Sequence, residues 1–365
     1  GKSVSIRPRL PRDHEGTLQF NFVAPYFISS HDHRTMYHGG NYVFKSQNRG
    51  DSWEVISPDL SNSSDPDKKS TAAGAIIESE IQPGLLYFGS DKGSFWYTKD
   101  DGKTWKENSK GLPNNYIRSI YPSRFKASRV YLTLTGMNYD DLGRYIYVSE
   151  DYGANWKALG NDIPNEVANV IIEDPKNENI LYVGTARGVY LSVDSGQSWS
   201  LMGQNLPTVS VADLKIDRNS MDLVIATHGR GIYKMNLKPI HKMISVSNNS
   251  VQLFALPEFR LPRFRDTHRD PDYESLKKTA ISYFLPKAGK VSFSIMDNKD
   301  ETIWTFSEDG KQGLNTYRWD LILKKAESNQ PYFIRYDKFI SPGRYELALT
   351  SDGVTTKSEF EVKVY

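Results

Sequence analysis

The stretch Tyr145-Ile146-Tyr147-Val148-Ser149-Glu150-Asp151-Tyr152-Gly153-Ala154-Asn155-Trp156 decides the fold: a short alternating strand runs into a turn box closed by tryptophan. The box has the form S/T-x-D/N-x-G-x-x-W and returns at 46–53, 98–105 and 192–199. Upstream of each box stands an alternating strand, and before that another ending in small residues, as in Leu86-Tyr87-Phe88-Gly89-Ser90 and Leu181-Tyr182-Val183-Gly184-Thr185. The repeating unit is therefore strand, tight turn, strand, box, strand. A fifth copy, Leu223-Val224-Ile225-Ala226-Thr227-His228-Gly229-Arg230-Gly231-Ile232-Tyr233, keeps both strands and then loses the box. Box tryptophans at 53, 105, 156 and 199 lie 52, 51 and 43 residues apart. That period suits the four antiparallel strands of a propeller blade, which need ~40–50 residues.

Turn chemistry explains the box. A short Asp or Asn side chain accepts hydrogen bonds from backbone N–H groups two or three residues ahead, and glycine supplies positive φ without steric cost. The indole then plugs between neighbouring sheets with its N–H on a carbonyl. The residues Asn48, Gly50, Trp53, Asp100, Gly102, Trp105, Asp151, Gly153, Trp156, Asp194, Gly196 and Trp199 are accordingly expected to be structural. Their spacing lacks the dense alternating oxygens of a calcium loop, so no metal is expected there.

Composition agrees with an all-β chain. Of 365 residues, 12% are aromatic, with 22 Tyr, 16 Phe and 7 Trp, an enrichment that fits pleated surfaces. The balance of 46 basic against 44 acidic residues gives a net charge of +2, which offers no broad basic field for nucleic acid. Absence of cysteine removes disulfides, thiolate metal sites and cysteine nucleophiles together. No run of about 18 apolar residues suggests a membrane span. The start at Gly1-Lys2 suggests a processed or excised portion of a longer product.

These boxes resemble the BNR or Asp-box repeat of sialidases, sortilin-type receptors and two-propeller xyloglucanases. The residues at 147–156, Asn205-Leu206-Pro207-Thr208-Val209-Ser210-Val211, and Ala226-Thr227-His228-Gly229-Arg230-Gly231-Ile232-Tyr233 are similar, in this order, to a bacterial sortilin-like, glycosyl-hydrolase-like BNR group. The resemblance covers roughly residues 20–240. It implies a large exported or surface protein of tandem propellers followed by a small β-sandwich, with this chain a carboxy-terminal piece. Without cysteine, the sortilin receptor's cysteine-rich module is not carried over. The tripeptide Arg9-Leu10-Pro11 stands where sialidases keep an Arg-x-Pro motif, but nothing downstream completes a sialidase set, and it reads as a proline-punctuated lead-in strand.

Four segments are expected: a lead-in over 1–19, propeller blades over 20–238, an extended strap over 239–278, and an Ig-like or fibronectin-like sandwich over 279–365, where six or seven short strands alternate. Aromatics of the strap are expected against a propeller side. An open fan of five blades would leave two sheet faces bare, so another segment or chain is expected to complete a larger propeller.

Candidates for chemistry are few. Glycoside hydrolysis needs two carboxylates across a groove, and Asp140 and Asp141, with Tyr139 and Arg144 beside them in the insertion 136–144, are the weak catalytic candidates; the alternative is a charged hairpin tip. His228 and Arg230, between Gly229 and Gly231, and Arg187 in the comparable turn of the preceding unit are candidate ligand-binding residues, and a ring of turn arginines would suit an anion. The alternative is that they cap strands and pair between blades. No nucleophile elbow, phosphate loop or zinc-protease helix is present, and no cofactor is expected. Three functions stay open: a non-catalytic binding or assembly scaffold with a protein or glycan partner at a bacterial cell envelope, a xyloglucanase- or sialidase-like hydrolase, and peptide handling through the channel.

Overall fold

The computed structural model describes residues 5–137, 140–202, 206–238, 240–241, 244, 251–253, 256, 259–261, 280–311, 313–324 and 338–364. Contacts divide the chain into two units, Gly1–Asn236 and Leu237–Tyr365. Among the described residues, nearly all the regular elements of both are strands. Among the described residues, no helix is long and apolar enough to cross a membrane.

The first unit is a propeller of five successive sheets. Blade one comprises β1 (Tyr26–Ile28), β2 (Met36–Gly39), β3 (Val43–Ser46) and β4 (Glu54–Val55). Blade two comprises β5 (Ala73–Glu78), β6 (Leu86–Ser90), β7 (Phe95–Thr98) and β8 (Lys106–Glu107). Blade three comprises β9 (Tyr116–Pro122), β10 (Val130–Gly136), β11 (Asp141–Ser149) and β12 (Lys157–Ala158). Blade four comprises β13 (Ala168–Glu173), β14 (Leu181–Thr185), β15 (Val189–Ser192) and β16 (Ser200–Met202). Blade five has three strands among the described residues, β17 (Val211–Asp217), β18 (Asp222–Thr227) and β19 (Ile232–Asn236). All pair antiparallel in chain order, the arrangement that tight hairpins dictate. First strands of successive blades pack on one another, and each junction is filled by aromatic and branched side chains such as Tyr87, Phe95, Ile117 and Leu132.

The boxes lock the turn after each third strand. In blade three, Ser149 Oγ accepts from Gly153 N at 2.7 Å and donates to Asp151 Oδ1 at 2.8 Å, while Asp151 Oδ1 also accepts from Asn155 N at 2.9 Å. The aspartate thus reaches four residues ahead, further than the sequence suggested. Asn48, Asp100 and Asp194 make the equivalent bond to Ser52, Thr104 and Ser198. Two consecutive residues adopt positive φ: Arg49, Asp101, Tyr152 and Ser195 at 60–62°, each followed by the box glycine at 83–92°. The indoles cross to other segments in two blades, Trp105 Nε1 donating to Ile56 O at 2.8 Å and Trp156 Nε1 to Asn108 O at 3.1 Å. Trp199 Nε1 instead donates to Gly196 O of its own box, and Trp53 Nε1 has no partner among the described residues.

The second unit is a sandwich. One sheet orders β20 (Gln252–Leu253), β22 (Ala280–Leu285) and β25 (Gly313–Arg318); the other orders β21 (Phe259–Leu261), β29 (Val354–Val364), β28 (Gly343–Ser351), β23 (Gly289–Met296) and β24 (Thr302–Gly310). A short pair, β26 (Ile322–Lys324) and β27 (Lys338–Phe339), stands apart. Ile281, Tyr283, Phe293, Ile295, Leu347 and Val362 from the two sheets share one core with Trp319. Phe259, from the proline-rich strap, does not lie against a propeller side. It is 1% exposed within the sandwich core, 4.9 Å from Phe360, because β21 adds to β29 as a parallel strand. The rest of the strap's aromatic run, including Phe264, falls outside the described residues.

Candidate functional site

One face of the propeller is made by the turns between second and third strands. In blades two, four and five this turn is tied to the start of the blade's own first strand: Asp91 N donates to Ala72 O at 3.2 Å, Ala186 N to Val167 O at 2.9 Å and His228 N to Ser210 O at 2.8 Å. Lys92, Arg187 and Arg230, each followed by a glycine, therefore lie in the corresponding turns of blades two, four and five, with Arg230 one residue further along its turn than the other two. Arg187 Nε lies 3.4 Å from Glu166 Oε2, yet its side chain stays 71% exposed. Glu166 is buried, and its Oε1 accepts from Thr185 Oγ1 at 2.9 Å. Burial, then the charge of Glu166, pushes the Tyr190 hydroxyl up to about 12. His228 and Arg230 are exposed on a turn whose flanking Gly229 and Gly231 have φ of 80° and 78°, with open space around both. The arrangement offers cations to solvent in two adjacent blades, and Glu166 already neutralises one of them.

The insertion of blade three is a hairpin extension in which Gly136 pairs with Asp141. Tyr139 lies outside the described residues. Asp140 is exposed at the tip with φ of 56°. Asp141 is fully engaged: Oδ2 accepts from Tyr145 Oη at 2.6 Å and Asn115 Nδ2 at 3.1 Å, and Oδ1 from Gly143 N at 2.8 Å. The Tyr145 bond, followed by that from Gly143, holds its carboxyl below the usual aspartate range. A general acid needs the opposite displacement. Arg144 donates through Nη1 to Ile163 O and through its backbone N–H to Asn165 Oδ1, so it braces the blade rather than pointing into a groove.

The opposite face carries a network that the sequence did not announce. Glu80, in the turn after β5, is bridged by Arg124 from blade three at 3.0 Å and by Arg218 from blade five at 2.5 Å. Ser29 Oγ donates to Glu78 Oε2 at 2.5 Å, and Ser123 Oγ donates to Glu173 at 2.9 and 3.0 Å, so a serine in one blade's first hairpin fastens the carboxylate of the next. Among the described carboxylates resolved as shifted, only Glu173 is displaced upward, by burial, and it is sealed beneath Arg124 N, Tyr131 and Ser123. The one signal in the chain is the hairpin triplet Glu78-Ser79-Glu80, matched by Pro122-Ser123-Arg124.

A third region flanks blade one. A cavity of about 500 Å³ is lined by Ile6, Arg7, Phe20, Phe22, Tyr26 and His38. The Arg7 guanidinium sits 4.9 Å over the Phe20 ring, and Phe20 meets His38 edge-on at 5.1 Å. Burial pushes the His38 imidazole down, and its Nδ1 has no partner among the described residues. Equivalent register positions, each facing the aligned second-strand residue, show what is unusual: Ile76, Ile120, Ile171 and Leu214 are 6%, 7%, 0% and 0% exposed, whereas Tyr26 is 61% exposed. Phe22, Val23 and Ile28 add 105%, 66% and 57%. Among the described residues, no group of three or more His, Cys, Asp or Glu could hold a metal ion.

No protein-family model matches the chain, and no curated protein does. Solved structures are similar in fold. The GH74 xyloglucanase of Xanthomonas campestris matches at 17% identity over 58% of this chain and 36% of its own, with a TM-score of 0.47. The extracellular domain of a hybrid two-component system from B. thetaiotaomicron matches at 14% identity over 98% of this chain and 46% of its own, with a TM-score of 0.45. PorZ, a surface component of the type-IX secretion system of Porphyromonas gingivalis, matches at 12% identity over 97% of this chain and 61% of its own, with a TM-score of 0.33. The chain therefore spans between about a third and two thirds of the length of these proteins.

Proposed function

We propose that this chain is a non-catalytic binding or assembly scaffold, part of an exported bacterial surface protein, whose propeller flank and Ig-like sandwich meet protein or glycan partners. The observation that carries the reading is the flank of blade one. Its side chains are those of an interior blade junction, yet Phe22, Val23, Tyr26 and Ile28 face solvent. A contiguous apolar sheet face of this kind is an interaction surface or an aggregation liability. The candidate carboxylates support the same side, since Asp141 is spent on its own hairpin. Export follows the resemblance of the tryptophan boxes to exported BNR proteins. The turn cations Arg187 and Arg230 suit a carboxylate-bearing glycan or an acidic peptide on the other face.

A panel of fluorogenic glycosides and xyloglucan oligosaccharides, assayed with purified protein, tests this. The expected result is no turnover, together with recovery of the chain in a stable envelope complex. Turnover that disappears in Asp140→Ala or Asp141→Ala would replace the scaffold with a hydrolase.

A further inference from the structure

The turn between first and second strands is built alike in every blade. Ser29, Ser79 and Ser123 accept through Oγ from the N–H two residues ahead, and Asp174 and Asp217 do the same through Oδ1. The strand registers Ile28↔Met36, Glu78↔Leu86, Pro122↔Val130, Glu173↔Leu181 and Ile216↔Leu223 align these turns, so Ser30, Glu80, Arg124, Pro175 and Arg218 hold one equivalent position. Serine and proline at this place in blades one and four show that the turn itself asks for no charge. The turns lie on the box side of the blades, since Arg49, Asp101, Tyr152 and Ser195 of the boxes donate their N–H to Arg34, Gly84, Ser128 and Asn179 O.

First strands pack in chain order, β5 on β9, β9 on β13 and β13 on β17, so blades two and five stand at opposite ends of an arc. Glu80 nevertheless meets Arg218, and their bridge spans the axial opening at the box face. Arg218 Nη2 donates to Glu80 Oε1 at 2.6 Å and Oε2 at 2.5 Å, while Arg124 Nε lies 3.0 Å from Oε2. One carboxylate thus faces two guanidiniums and serves them incompletely. Arg124 Nε is buried in charge contact with Glu80 but outside hydrogen-bond geometry. Nη1 and Nη2 of Arg124, and Nε and Nη1 of Arg218, make no hydrogen bond among the described residues. The side chains of Glu80, Arg124 and Arg218 are 32%, 24% and 49% exposed, so solvent reaches the cluster. What remains after Glu80 is bound is a net positive charge with forked donors to spare, the arrangement that recognises carboxylates.

We propose that Arg124 and Arg218 form a carboxylate-binding site at the box-face end of the axial opening, held in the free protein by Glu80 as an internal stand-in. A ligand carboxylate takes the donors of both arginines, and the displaced Glu80 side chain turns to solvent. The resident group is itself a carboxylate, which sets the ligand class. Being tethered, it competes at a high effective concentration, so the parent protein binds weakly. The site goes beyond the scaffold reading and does not rest on it, because it uses neither the flank of blade one nor the turn cations of the opposite face.

Isothermal titration of the whole chain at low ionic strength, with succinate and a pentaglutamate peptide as probes, tests the site. Glu80→Gln is expected to bind a probe ~5-fold or more tightly than the parent, the equilibrium worth of an exposed ion pair removed together with its like-charge repulsion. Adding Arg124→Gln or Arg218→Gln to Glu80→Gln should abolish that gain. Adding Lys103→Gln, which deletes the charge of an exposed box lysine on the same face, should leave it. Peptide binding at least as tight as that of succinate assigns the site to an acidic chain, and binding of succinate alone assigns it to a small acid; either supports the site. Three results overturn it: no tighter binding of either probe by Glu80→Gln than by the parent, a gain that survives both arginine substitutions, or a gain that Lys103→Gln abolishes equally.

Discussion

Replacing Glu173 with alanine should unfasten blade four from blade three. Its side chain is wholly buried and serves four donors: Ser123 Oγ at 2.9 and 3.0 Å, Arg124 N at 2.9 Å, Tyr131 Oη at 3.3 Å and Arg129 Nη1 at 3.7 Å. Alanine leaves the backbone N–H and two hydroxyls without an acceptor and opens a polar void, and breaking a buried charged contact of this kind costs about 3–5 kcal/mol. A unit of this size moves ~2–4 °C per kcal/mol, so the propeller transition should fall by roughly 6–20 °C in scanning calorimetry. The sandwich transition serves as internal control. Glu173→Gln adds a pH dimension, because burial lifts the native carboxyl above its ordinary 4.5. A raised native value means stability is full below the unfolded value and is lost as pH rises through the folded one. Glutamine cannot ionise, so the melting temperature of Glu173→Gln relative to the parent should climb as pH rises from about 4.5. An alanine variant that shifts the propeller transition by less than ~2 °C, the signature of a solvated surface site, would refute the fastening role.

Gly153→Ala should cost more than Gly111→Ala, as read by urea midpoints: both have φ near 90°, but the methyl at 153 would meet Phe95 Cε1 at 2.5 Å and the one at 111 meets nothing. Asp100, held down to about 2 by bonds from the Thr104 hydroxyl and N–H and from Thr98, contributes stability present above its unfolded value and lost as pH falls toward the native one. Asp100→Asn, the residue blade one uses at Asn48, removes that contribution and should therefore move the acid-unfolding midpoint of the propeller to higher pH, measured by circular dichroism. Glu80→Gln removes a bridge whose partners Arg124 and Arg218 are 24% and 49% exposed, so the loss should stay near or below ~1 kcal/mol and shrink further in 0.5 M salt.

What the sequence made legible was whatever lies within one hairpin. The box places its serine, aspartate, glycine and tryptophan inside eight residues, so its turn chemistry could be read from one copy and checked on three more. Even there, the positive φ at Arg49, Asp101, Tyr152 and Ser195 escaped, because four unrelated side chains tolerate the position once glycine follows. The fastening of Ser123 to Glu173 spans 50 residues and that of Arg218 to Glu80 spans 138, and no local pattern marks such partners. Phe259 escaped for a different reason: prolines around it mask a three-residue strand that pairs, among the described residues, with the far end of the chain.

The lead-in shows how repetition recovers what locality hides. Arg9-Leu10-Pro11 invites a reading by motif, and Pro8 and Pro11 invite a reading as an irregular approach to the first blade. Neither explains why Ile6 stands against Gly50. Superposing the repeats by register does, since Ile56 and Leu159 stand against Gly102 and Gly196 in the same way. The same register explains Tyr26, which is exposed where, among the described residues, no sheet stands in the place of those that cover Ile76, Ile120, Ile171 and Leu214. The exposed aromatic flank and the lead-in at Ile6 thus lie beside the same sheet, that of blade one. The exposed side chains of this flank, ahead of the charged tip at Asp140 and Asp141, are therefore where a binding test on the propeller belongs.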